Sequence, residues 1–316
     1  MLSSSPICPI CHSESRYDFS GRDLMFRRFD RYDYQKCTSC DFIFQFPLPS
    51  PEQISAFYPD SYDVYEVDSR LKKISQFNKS ILKRYYGYVH LKTSLFTDVL
   101  CSITKRPNSD YSIPFVTNGC LLDVGCGNGR FLDGMKQLGW QVKGVEFNEH
   151  AVSVCKLSGL DVHHGDLLSA SFEANSFDVI NVSHVIEHVP NPVQLFAELE
   201  RVLKPGGTLI IKTPNSQALG RAWFSNNWFP NEVPRHIYLF SEKNLRALGN
   251  ACGLQLKQIR TRTSVKIILN SVDYVTGNKG TPSKKIKWKR ILARPYSHIA
   301  QFKKQGDEIF SLFTKS

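Results

Sequence analysis

The segment Leu121-Leu-Asp-Val-Gly-Cys-Gly-Asn-Gly129 decides the fold of this 316-residue chain. Its first four residues read as a short buried strand, and the glycines predict a tight turn that opens a helix over 130–138. Glycines let the backbone approach a ligand closely, and the amides of a helix N-terminus favour the ligand's anionic part. An acid, Glu146, ends the next predicted strand, 141–147, where a carboxylate can accept hydrogen bonds from both ribose hydroxyls of an adenosine-type cofactor. The nicotinamide-binding pattern needs its third glycine where this chain has Arg130.

Predicted strands and helices alternate from Cys120 onward, which is typical of a parallel sheet covered by helices. The helices are expected at 149–157, 192–203 and 241–251, and the strands at 160–163, 177–182, 207–213 and 254–261. The apolar stretch 308–314 can pair with the strand before it as an antiparallel edge. The sequence therefore predicts an α/β fold with residues 264–306 as an insertion between the last two strands.

Two cysteine pairs of equal spacing, Cys8-Pro-Ile-Cys11 and Cys37-Thr-Ser-Cys40, lie near the N-terminus. Two such turns can complete tetrahedral coordination of a structural Zn²⁺ by four thiolates, with no open position for a substrate. The alternatives are two disulfides, which a reducing cytosol disfavours, and a redox CxxC, whose strand-to-helix setting is missing. We predict a zinc-ribbon region over 1–50, a helical connection and cofactor lid over 51–118, and a cofactor-binding domain over 119–316.

Further motifs follow the glycine turn in a fixed order. They are the acid Glu146, Gly165-Asp166, Phe177-Asp-Val179, Glu187-His-Val189 and Leu203-Lys-Pro-Gly-Gly207. As an ordered set they resemble the motifs of class I S-adenosylmethionine-dependent methyltransferases, over about residues 120–316. The resemblance implies a Rossmann-like seven-stranded sheet with the last strand antiparallel, and S-adenosyl-L-methionine as the cofactor.

The same resemblance implies roles for single residues. Asp123 and the turn glycines would hold the methionine part of the cofactor, and Glu146 the ribose. Asp166 and Leu167 would hold the adenine, while Ser183 and His184 end the fourth strand beneath the transferred methyl. The cofactor-binding residues implied are Asp123, Gly125, Gly127, Gly129, Glu146, Asp166, Leu167 and Ser183.

The whole chain is similar to a narrower group, methyltransferases with an N-terminal zinc-binding domain, which includes deoxysugar C-methyltransferases and enzymes of surface-polysaccharide clusters. The segment Pro234-Arg-His-Ile-Tyr-Leu-Phe-Ser241 carries much of this likeness. In the sugar C-methyltransferases, a histidine just before the equivalent aromatic-Phe-Ser run is implicated as an acid/base, which implies His236. Pro234 and Arg235 depart from those enzymes' pattern, so transfer to carbon or to oxygen stays open.

Transfer to a hydroxyl benefits from a general base, and a neutral histidine suits that role at cytosolic pH. The candidate catalytic residues are His236, His184 and His188. Each has a structural alternative, since a backbone group can satisfy His236 and the other two can fix a loop by hydrogen bonding. Glu187 with His188 is also a candidate pair for a divalent cation, although two further ligands are not evident. Tyr58 and Tyr62 are candidates for the cofactor lid, or for ordinary core packing.

The net charge of +11 is concentrated in one segment. Residues 279–304 contain basic side chains and no acidic one: Lys279, Lys284, Lys285, Lys287, Lys289, Arg290, Arg294, Lys303 and Lys304. Because Ile286 and Trp288 lie among them, the segment suits a helix on an anionic membrane surface. Docking of an anionic substrate carrier and a solvated helical face are the alternatives. No RNA-binding module is recognisable, so we do not expect nucleic acid as a partner.

The composition, with 41% hydrophobic and 22% charged residues, excludes a disordered polyelectrolyte. No apolar run reaches the ~18 residues of a membrane span, and the N-terminus lacks the features of a secretory signal. We therefore expect a cytoplasmic protein, peripheral at the inner face of the membrane if the basic segment binds lipid. The oligomeric state is not indicated.

The function expected from these patterns is S-adenosylmethionine-dependent methyl transfer to a hydroxyl of a sugar or glycan intermediate, which can be nucleotide- or lipid-linked. The alternatives are C-methylation of a keto-deoxysugar nucleotide, or a non-catalytic module that binds the cofactor or RNA.

Overall fold

The structure is a computed structural model that describes residues 6–58, 73–102, 111–277 and 287–316, of which 287–294 are described by their backbone alone. By internal contacts the chain divides into two units that are each discontinuous in sequence. Unit 1 comprises Met1–Ser61, Val182–Glu200 and Ile210–Ser316, and unit 2 comprises Tyr62–Asn181 and Arg201–Leu209.

The described strands and helices follow one another along the chain in the predicted alternation. The strands are β1 (Ser15–Arg22), β2 (Arg31–Cys37), β3 (Ile43–Gln45), β4 (Cys120–Val124), β5 (Gln141–Glu146), β6 (Val162–His164), β7 (Phe177–Ser183), β8 (Leu203–Pro214), β9 (Tyr238–Leu239), β10 (Leu254–Arg262) and β11 (Glu308–Lys315). The helices are α1 (Pro51–Ala56), α2 (Gln76–Tyr86), α3 (Leu95–Ser102), α4 (Arg130–Gln137), α5 (Glu149–Leu157), α6 (Pro192–Val202), α7 (Leu219–Phe224), α8 (Glu242–Ala251), α9 (Val265–Thr276) and α10 (Lys287–Phe302).

A seven-stranded sheet has the order β10-β11-β8-β7-β4-β5-β6. Strands β4, β5 and β6 pair in parallel, whereas β10 and β11 pair antiparallel over their full length. Strand β4 is buried from Leu121 to Val124 because helices cover a parallel sheet on both faces. This topology confirms the predicted α/β class, the Rossmann-like sheet and the antiparallel last strand.

A second sheet is antiparallel and has the order β1-β2-β3-β9. Its core includes Phe19 stacked on Tyr34, with ring centroids 4.5 Å apart, together with Ile43 and Leu239. Strands β1 and β2 pair antiparallel as a hairpin between the two cysteine pairs. Strand β9 was not predicted, since only its pairing with β3 makes so short a segment a strand.

Helix N-termini follow the capping residues of the sequence. Ser50 caps α1 and forms a capping box with Gln53, as its position before Pro51 predicts. Ser241 caps α8 in the same way, with Asn244 as its partner. These caps satisfy backbone amides that would otherwise lack acceptors at the helix ends.

The structure also differs from expectation in several places. Strand β8 begins at Leu203 rather than at Gly207, and the insertion 264–306 contains α9 and α10 among its described residues. The two units interleave along the chain, so the division at residues 50 and 118 stays a prediction. Among the helices described, none has the length and apolar character needed to cross a membrane.

Candidate functional site

The glycine turn between β4 and α4 lies in unit 2 and has a backbone that requires glycine. Gly129 has φ +76°, and a Cβ there would lie 2.5 Å from Leu160 Cδ1 and 2.7 Å from Cys155 Sγ. Gly127 has φ +54°, and a Cβ there would meet nothing within 4 Å. The turn is thus packed tightly beneath Gly129 and has open space at Gly127, which fits a backbone that a ligand approaches.

Glu146 joins this turn to the end of β5. Its side chain is 6% exposed, and its Oε2 accepts a hydrogen bond from the Gly127 amide at 2.8 Å. Its Oε1 accepts from the Asn148 amide at 2.9 Å. Since each carboxylate oxygen can accept a second hydrogen bond, Glu146 retains acceptor capacity for two ribose hydroxyls. The residues present therefore fit the adenosine part of S-adenosylmethionine.

Hydrogen bonds also fix two other expected cofactor residues of unit 2, Asp123 and Asp166. Asp123, 4% exposed, accepts a hydrogen bond from Asn181 Nδ2 at 2.6 Å. Asp166 is exposed, and its Oδ1 accepts from the Ser169 amide at 2.7 Å, while Leu167 is buried. Asn181 was not predicted as a site residue, although its position on the predicted fourth strand could have indicated it. Ser183, the remaining expected residue, ends β7 in unit 1.

His184 follows β7 in unit 1 and lies between two carboxylates. Its Nδ1 is 3.3 Å from Glu187 Oε1 and its Nε2 is 2.7 Å from Glu308 Oε1. Burial lowers the pKa of His184, but the hydrogen bonds and charges of the two carboxylates outweigh it and raise the pKa to about 10. The ring is therefore an imidazolium at neutral pH, with both nitrogens protonated.

Glu187 is the buried carboxylate of this group, with 0% of its surface exposed. Burial raises its pKa, but the hydrogen bond from His184 and the charges of nearby histidines outweigh this and lower the pKa to about 2. Thr213 Oγ1 donates to Glu187 Oε2 at 3.0 Å, and the Glu187 carbonyl accepts from the Ile237 amide at 2.9 Å. Glu187 is thus held as a carboxylate by His184 and fixed in place through its backbone.

His188 differs from His184 in its protonation state. Its Nδ1 lies 3.0 Å from the Arg235 carbonyl oxygen and 2.8 Å from the Tyr58 hydroxyl. Because a carbonyl only accepts, we assign the proton to Nδ1, which leaves a lone pair on Nε2. Burial and the charge of His236 lower the pKa of His188 to about 4, so the ring is neutral at pH 7.

His236 is 4% exposed and packs edge-on against His188, with ring centroids 4.6 Å apart. Its Nδ1 lies 2.8 Å from the Pro230 carbonyl and its Nε2 lies 3.6 Å from Glu232 Oε2. Ligand atoms of Glu187, His188 and His236 all lie within 4.8 Å of one another. The cluster therefore offers a neutral base at His188 and a set of donors that could also hold a divalent cation.

The four N-terminal cysteines come together in unit 1. Their Sγ atoms are 3.7 Å apart for Cys8 and Cys40, 3.4 Å for Cys11 and Cys37, and 3.5 Å for Cys11 and Cys40. Tetrahedral zinc with Zn–S bonds of about 2.3 Å needs sulfur separations of about 3.8 Å, and a disulfide needs about 2.05 Å. The amides of Ser39 and Cys40 each donate to Cys37 Sγ at 3.4 Å. The residues present fit a four-thiolate zinc site.

Of the two tyrosines expected near the site, Tyr58 lies in the part of the chain that the structure describes and Tyr62 does not. Tyr58 contacts His188. Arg235 and Asp23, which form a buried ion pair beside His188, were not expected as site residues. No local pattern marks this pair, because its members are far apart in sequence.

Comparisons with known proteins found a matching family model and similar solved structures. A family model described as a methyltransferase domain matches residues 99–259, which is about half of the chain. Among solved structures, the chain is similar to a SAM-dependent methyltransferase from Archaeoglobus fulgidus, with 18% identity, a TM-score of 0.46 and coverage of 76% of this chain and 95% of that one. An S-adenosylmethionine-dependent methyltransferase from Mesorhizobium loti has 17% identity, a TM-score of 0.45 and coverage of 64% and 94%.

The curated relatives share one printed name, ubiquinone biosynthesis O-methyltransferase. The protein from Stutzerimonas stutzeri is 29% identical, with 44% of this chain and 66% of the relative covered. The protein from Azoarcus sp. is 39% identical over 30% of this chain and 44% of its own length, and that from Maricaulis maris is 27% identical over 61% and 74%. The chain thus spans less than two thirds of the length of the first two relatives.

The names of these relatives correct the expected acceptor and its alternatives. The predicted sugar or glycan acceptor, with its nucleotide- or lipid-linked carrier, is wrong, because the relatives are named for ubiquinone biosynthesis. The alternatives of sugar C-methylation and of a non-catalytic module are corrected by the same names, which are those of O-methyltransferases. The general motifs of the cofactor domain had carried no information on the acceptor. The match over residues 99–259, together with the sheet order and the glycine turn, places this chain in the methyltransferase-domain family, as an S-adenosylmethionine-dependent methyltransferase.

Proposed function

We propose that this chain methylates a hydroxyl oxygen on the ring of a quinone-type intermediate, with His188 as the general base. The names of the curated relatives support the acceptor class. The observation that carries the mechanism is the hydrogen bond between His188 Nδ1 and the Arg235 carbonyl, 3.0 Å long. It assigns the proton to Nδ1 and leaves the Nε2 lone pair to take the acceptor's proton.

S-adenosylmethionine supplies a sulfonium methyl, which is already a strong electrophile, so the protein's task is mainly to bind, orient and deprotonate. A ring hydroxyl comparable to that of tyrosine has a pKa of about 10 and is mostly protonated at pH 7. His188 is neutral at that pH and has a lone pair that takes the proton as the oxygen bonds the methyl and becomes strongly acidic, whereas the imidazolium of His184 has no free lone pair. We therefore give His184 the role of holding Glu187 in its charged state.

We assign His236 to orienting His188 rather than to base catalysis. Its Nδ1 is anchored to the Pro230 carbonyl, and its ring packs edge-on against that of His188. On the cofactor side, we propose that Glu146 binds the ribose and Asp123 with the turn glycines the methionine part. Asp166 with Leu167 is assigned to the adenine, and Ser183 to the methyl end of the cofactor.

Two further proposals concern the rest of unit 1. We propose that Cys8, Cys11, Cys37 and Cys40 bind one structural Zn²⁺, which their sulfur separations support. We also propose that the basic segment 279–304 brings the protein to an anionic membrane surface at the cytoplasmic face. The exposed side chains Ile299 and Phe302 at the end of α10, 42% and 91% exposed, support contact with an apolar phase.

The test of the proposed function is methyl transfer from labelled S-adenosylmethionine to an isoprenoid-substituted dihydroxybenzene. The expected product carries the label in a methoxy group, and the same ring with both hydroxyls already methylated is the control. For His188→Ala we expect kcat to fall by about 10²–10⁴-fold with unchanged cofactor affinity. His150→Ala, an exposed histidine on α5, is the matched control and should keep full turnover.

Two results would contradict this assignment. Cofactor binding without any transfer to ring hydroxyls would reject the acceptor class. Full turnover of His188→Ala would remove His188 as the base, and turnover that requires added Mg²⁺ would assign the cluster of Glu187, His188 and His236 to a cation instead.

A further inference from the structure

The segment Arg235–Leu239, which contains His236, lies within unit 1 between the N-terminal sheet and Glu187. On one side Tyr34 Oη donates to the His236 carbonyl at 2.8 Å, and the Gln45 amide donates to the Ile237 carbonyl at 2.8 Å. On the other side the Ile237 amide donates to the Glu187 carbonyl at 2.9 Å. The N-terminal sheet is therefore bonded directly to the backbone that carries the histidine cluster.

Arg235 is the most heavily bonded side chain of this segment and is fully buried. Its guanidinium donates to both carboxylate oxygens of Asp23, Nη1 to Oδ2 at 2.9 Å and Nη2 to Oδ1 at 3.1 Å. Its Nε donates to Glu232 Oε1 at 3.1 Å, Nη1 also donates to the Phe57 carbonyl at 3.4 Å, and the guanidinium lies 5.1 Å from the Phe26 ring. Such a fork of planar donors fixes the side chain in one position.

Asp23, which belongs to the loop between β1 and β2, is itself held in place. It is 1% exposed, and its Oδ1 accepts from the amides of Met25 and Phe26 at 3.0 Å each. Burial raises the pKa of Asp23, but the hydrogen bonds from Arg235 and from these amides outweigh it and keep the pKa below its usual range. The ion pair is therefore charged and rigid at neutral pH, and removal of one partner leaves an uncompensated buried charge.

We propose that Asp23 is a positioning residue of methyl transfer: through its bidentate pair with Arg235 it fixes the Arg235 carbonyl that accepts the hydrogen bond from His188 Nδ1–H. The side chain of Arg235 is held on Asp23, and the His236 amide of the same peptide donates to the Glu232 carbonyl at 3.2 Å, so both restrain the carbonyl that faces His188. Of the two groups at His188 Nδ1, the Tyr58 hydroxyl can donate or accept, whereas the Arg235 carbonyl only accepts. The carbonyl therefore decides which nitrogen of His188 carries the proton and which keeps the lone pair. The N-terminal region thus sets the tautomer of the base. This inference rests on the proposed function of His188.

The test compares Asp23→Ala and Asp23→Asn with a matched control on the same hairpin. Asp18 also pairs with an arginine, with its Oδ2 2.5 Å from Arg221 Nη2, but that arginine lies on α7 and not beside His188. The readouts are the tautomer of His188, measured by two-bond ¹H–¹⁵N correlation spectra of ¹⁵N-histidine-labelled protein, and kcat with KM for S-adenosylmethionine. The melting temperature reports folding.

We expect Asp23→Ala to convert His188 from the Nδ1–H form to a mixture of tautomers and to lower kcat by about 10–100-fold, with KM for the cofactor unchanged. Asp23→Asn retains the shape and one acceptor oxygen, so it should recover part of both. Asp18→Ala should keep the tautomer and kcat of the wild type. A merely structural role would lower the melting temperature of both alanine variants and leave the His188 tautomer unchanged.

The proposal is overturned if His188 stays in the Nδ1–H form in both Asp23 variants, or if Asp18→Ala shifts the tautomer equally. Should Asp23→Ala fail to fold, Asp23→Asn decides by the same spectra. The tautomer is read without any acceptor, so failure of the proposed function, seen as full turnover of His188→Ala, is distinguishable from failure of this inference.

Discussion

Two histidines four residues apart, His184 and His188, have opposite protonation states because their neighbours differ. Carboxylates face both nitrogens of His184, whereas a backbone carbonyl and a second imidazole face His188. The sequence motif Glu187-His188 draws attention to this region but does not show which ring has a lone pair. That distinction comes from Glu308 and Arg235, which are more than 40 residues away along the chain.

The raised pKa of His184 predicts how the stability of the protein depends on pH. Its folded-state pKa of about 10 lies above the ordinary value of 6.5. The stabilisation from its imidazolium is therefore fully present below pH 6.5 and is lost as the pH rises through 10. We expect the free energy of unfolding of the wild type to approach that of His184→Gln over this range, measured by urea unfolding at pH 6, 8 and 9.5.

The control for that series is His150→Gln, an exposed histidine on α5. Its difference from the wild type should be small and constant with pH. A difference between His184→Gln and the wild type that does not change from pH 6 to pH 9.5 would show that His184 is not held as an imidazolium.

Among the elements, the turn between β4 and α4 combines positive φ angles, which favour glycine, with close packing. Its three glycines, Gly125, Gly127 and Gly129, all have positive φ. A Cβ at Gly129 would lie 2.5 Å from Leu160 and 2.7 Å from Cys155, whereas a Cβ at Gly127 would meet nothing within 4 Å. The turn therefore tolerates a side chain less well at Gly129 than at Gly127.

We predict that Gly129→Ala destabilises the protein by about 2–5 kcal/mol, the sum of a strained φ and an overpacked contact. Gly206→Ala separates the two causes, because Gly206 has a similar φ of +74° and nothing within 4 Å of its Cβ position. It should cost only the backbone term, about 1–2 kcal/mol. Thermal unfolding of both variants measures the difference, and equal losses of stability would exclude the packing contribution.

The sequence predicted the elements that local patterns define. Ser50 and Ser241 cap helices as their positions suggest, and the alternation after Cys120 yields the order of strands and helices. It did not predict β9, because a two-residue strand exists only through its pairing with β3. The Asp23–Arg235 pair was missed for the same reason, since 212 residues separate its members and neither has a local pattern.

At the scale of the whole molecule, the histidine cluster with the proposed base and most of the expected cofactor residues belong to different units. His184, His188 and His236 lie in unit 1 with the cysteine cluster, whereas Glu146 and the glycine turn lie in unit 2. The identity of the acceptor was not predictable, because the family motifs describe the cofactor and no acceptor-binding motif was recognised. The N-terminal strands β1, β2 and β3 share a sheet with β9, and all four belong to unit 1.

Because the proposed zinc site lies in unit 1 with the proposed base, its loss should disable methyl transfer while cofactor binding persists. Asn244 Nδ2 donates to the Cys40 carbonyl at 2.5 Å and Cys37 ends β2, so loss of the metal loosens the sheet that holds Asp23. For Cys37→Ser together with Cys40→Ser we expect the metal content to fall from about one zinc per chain to none. We also expect kcat to fall at least about tenfold, with the Kd for S-adenosylmethionine within about twofold. Cys252→Ser, outside the cluster, is the control and should retain zinc. A zinc-free double variant with full turnover would show that the cysteine cluster does not support the histidines.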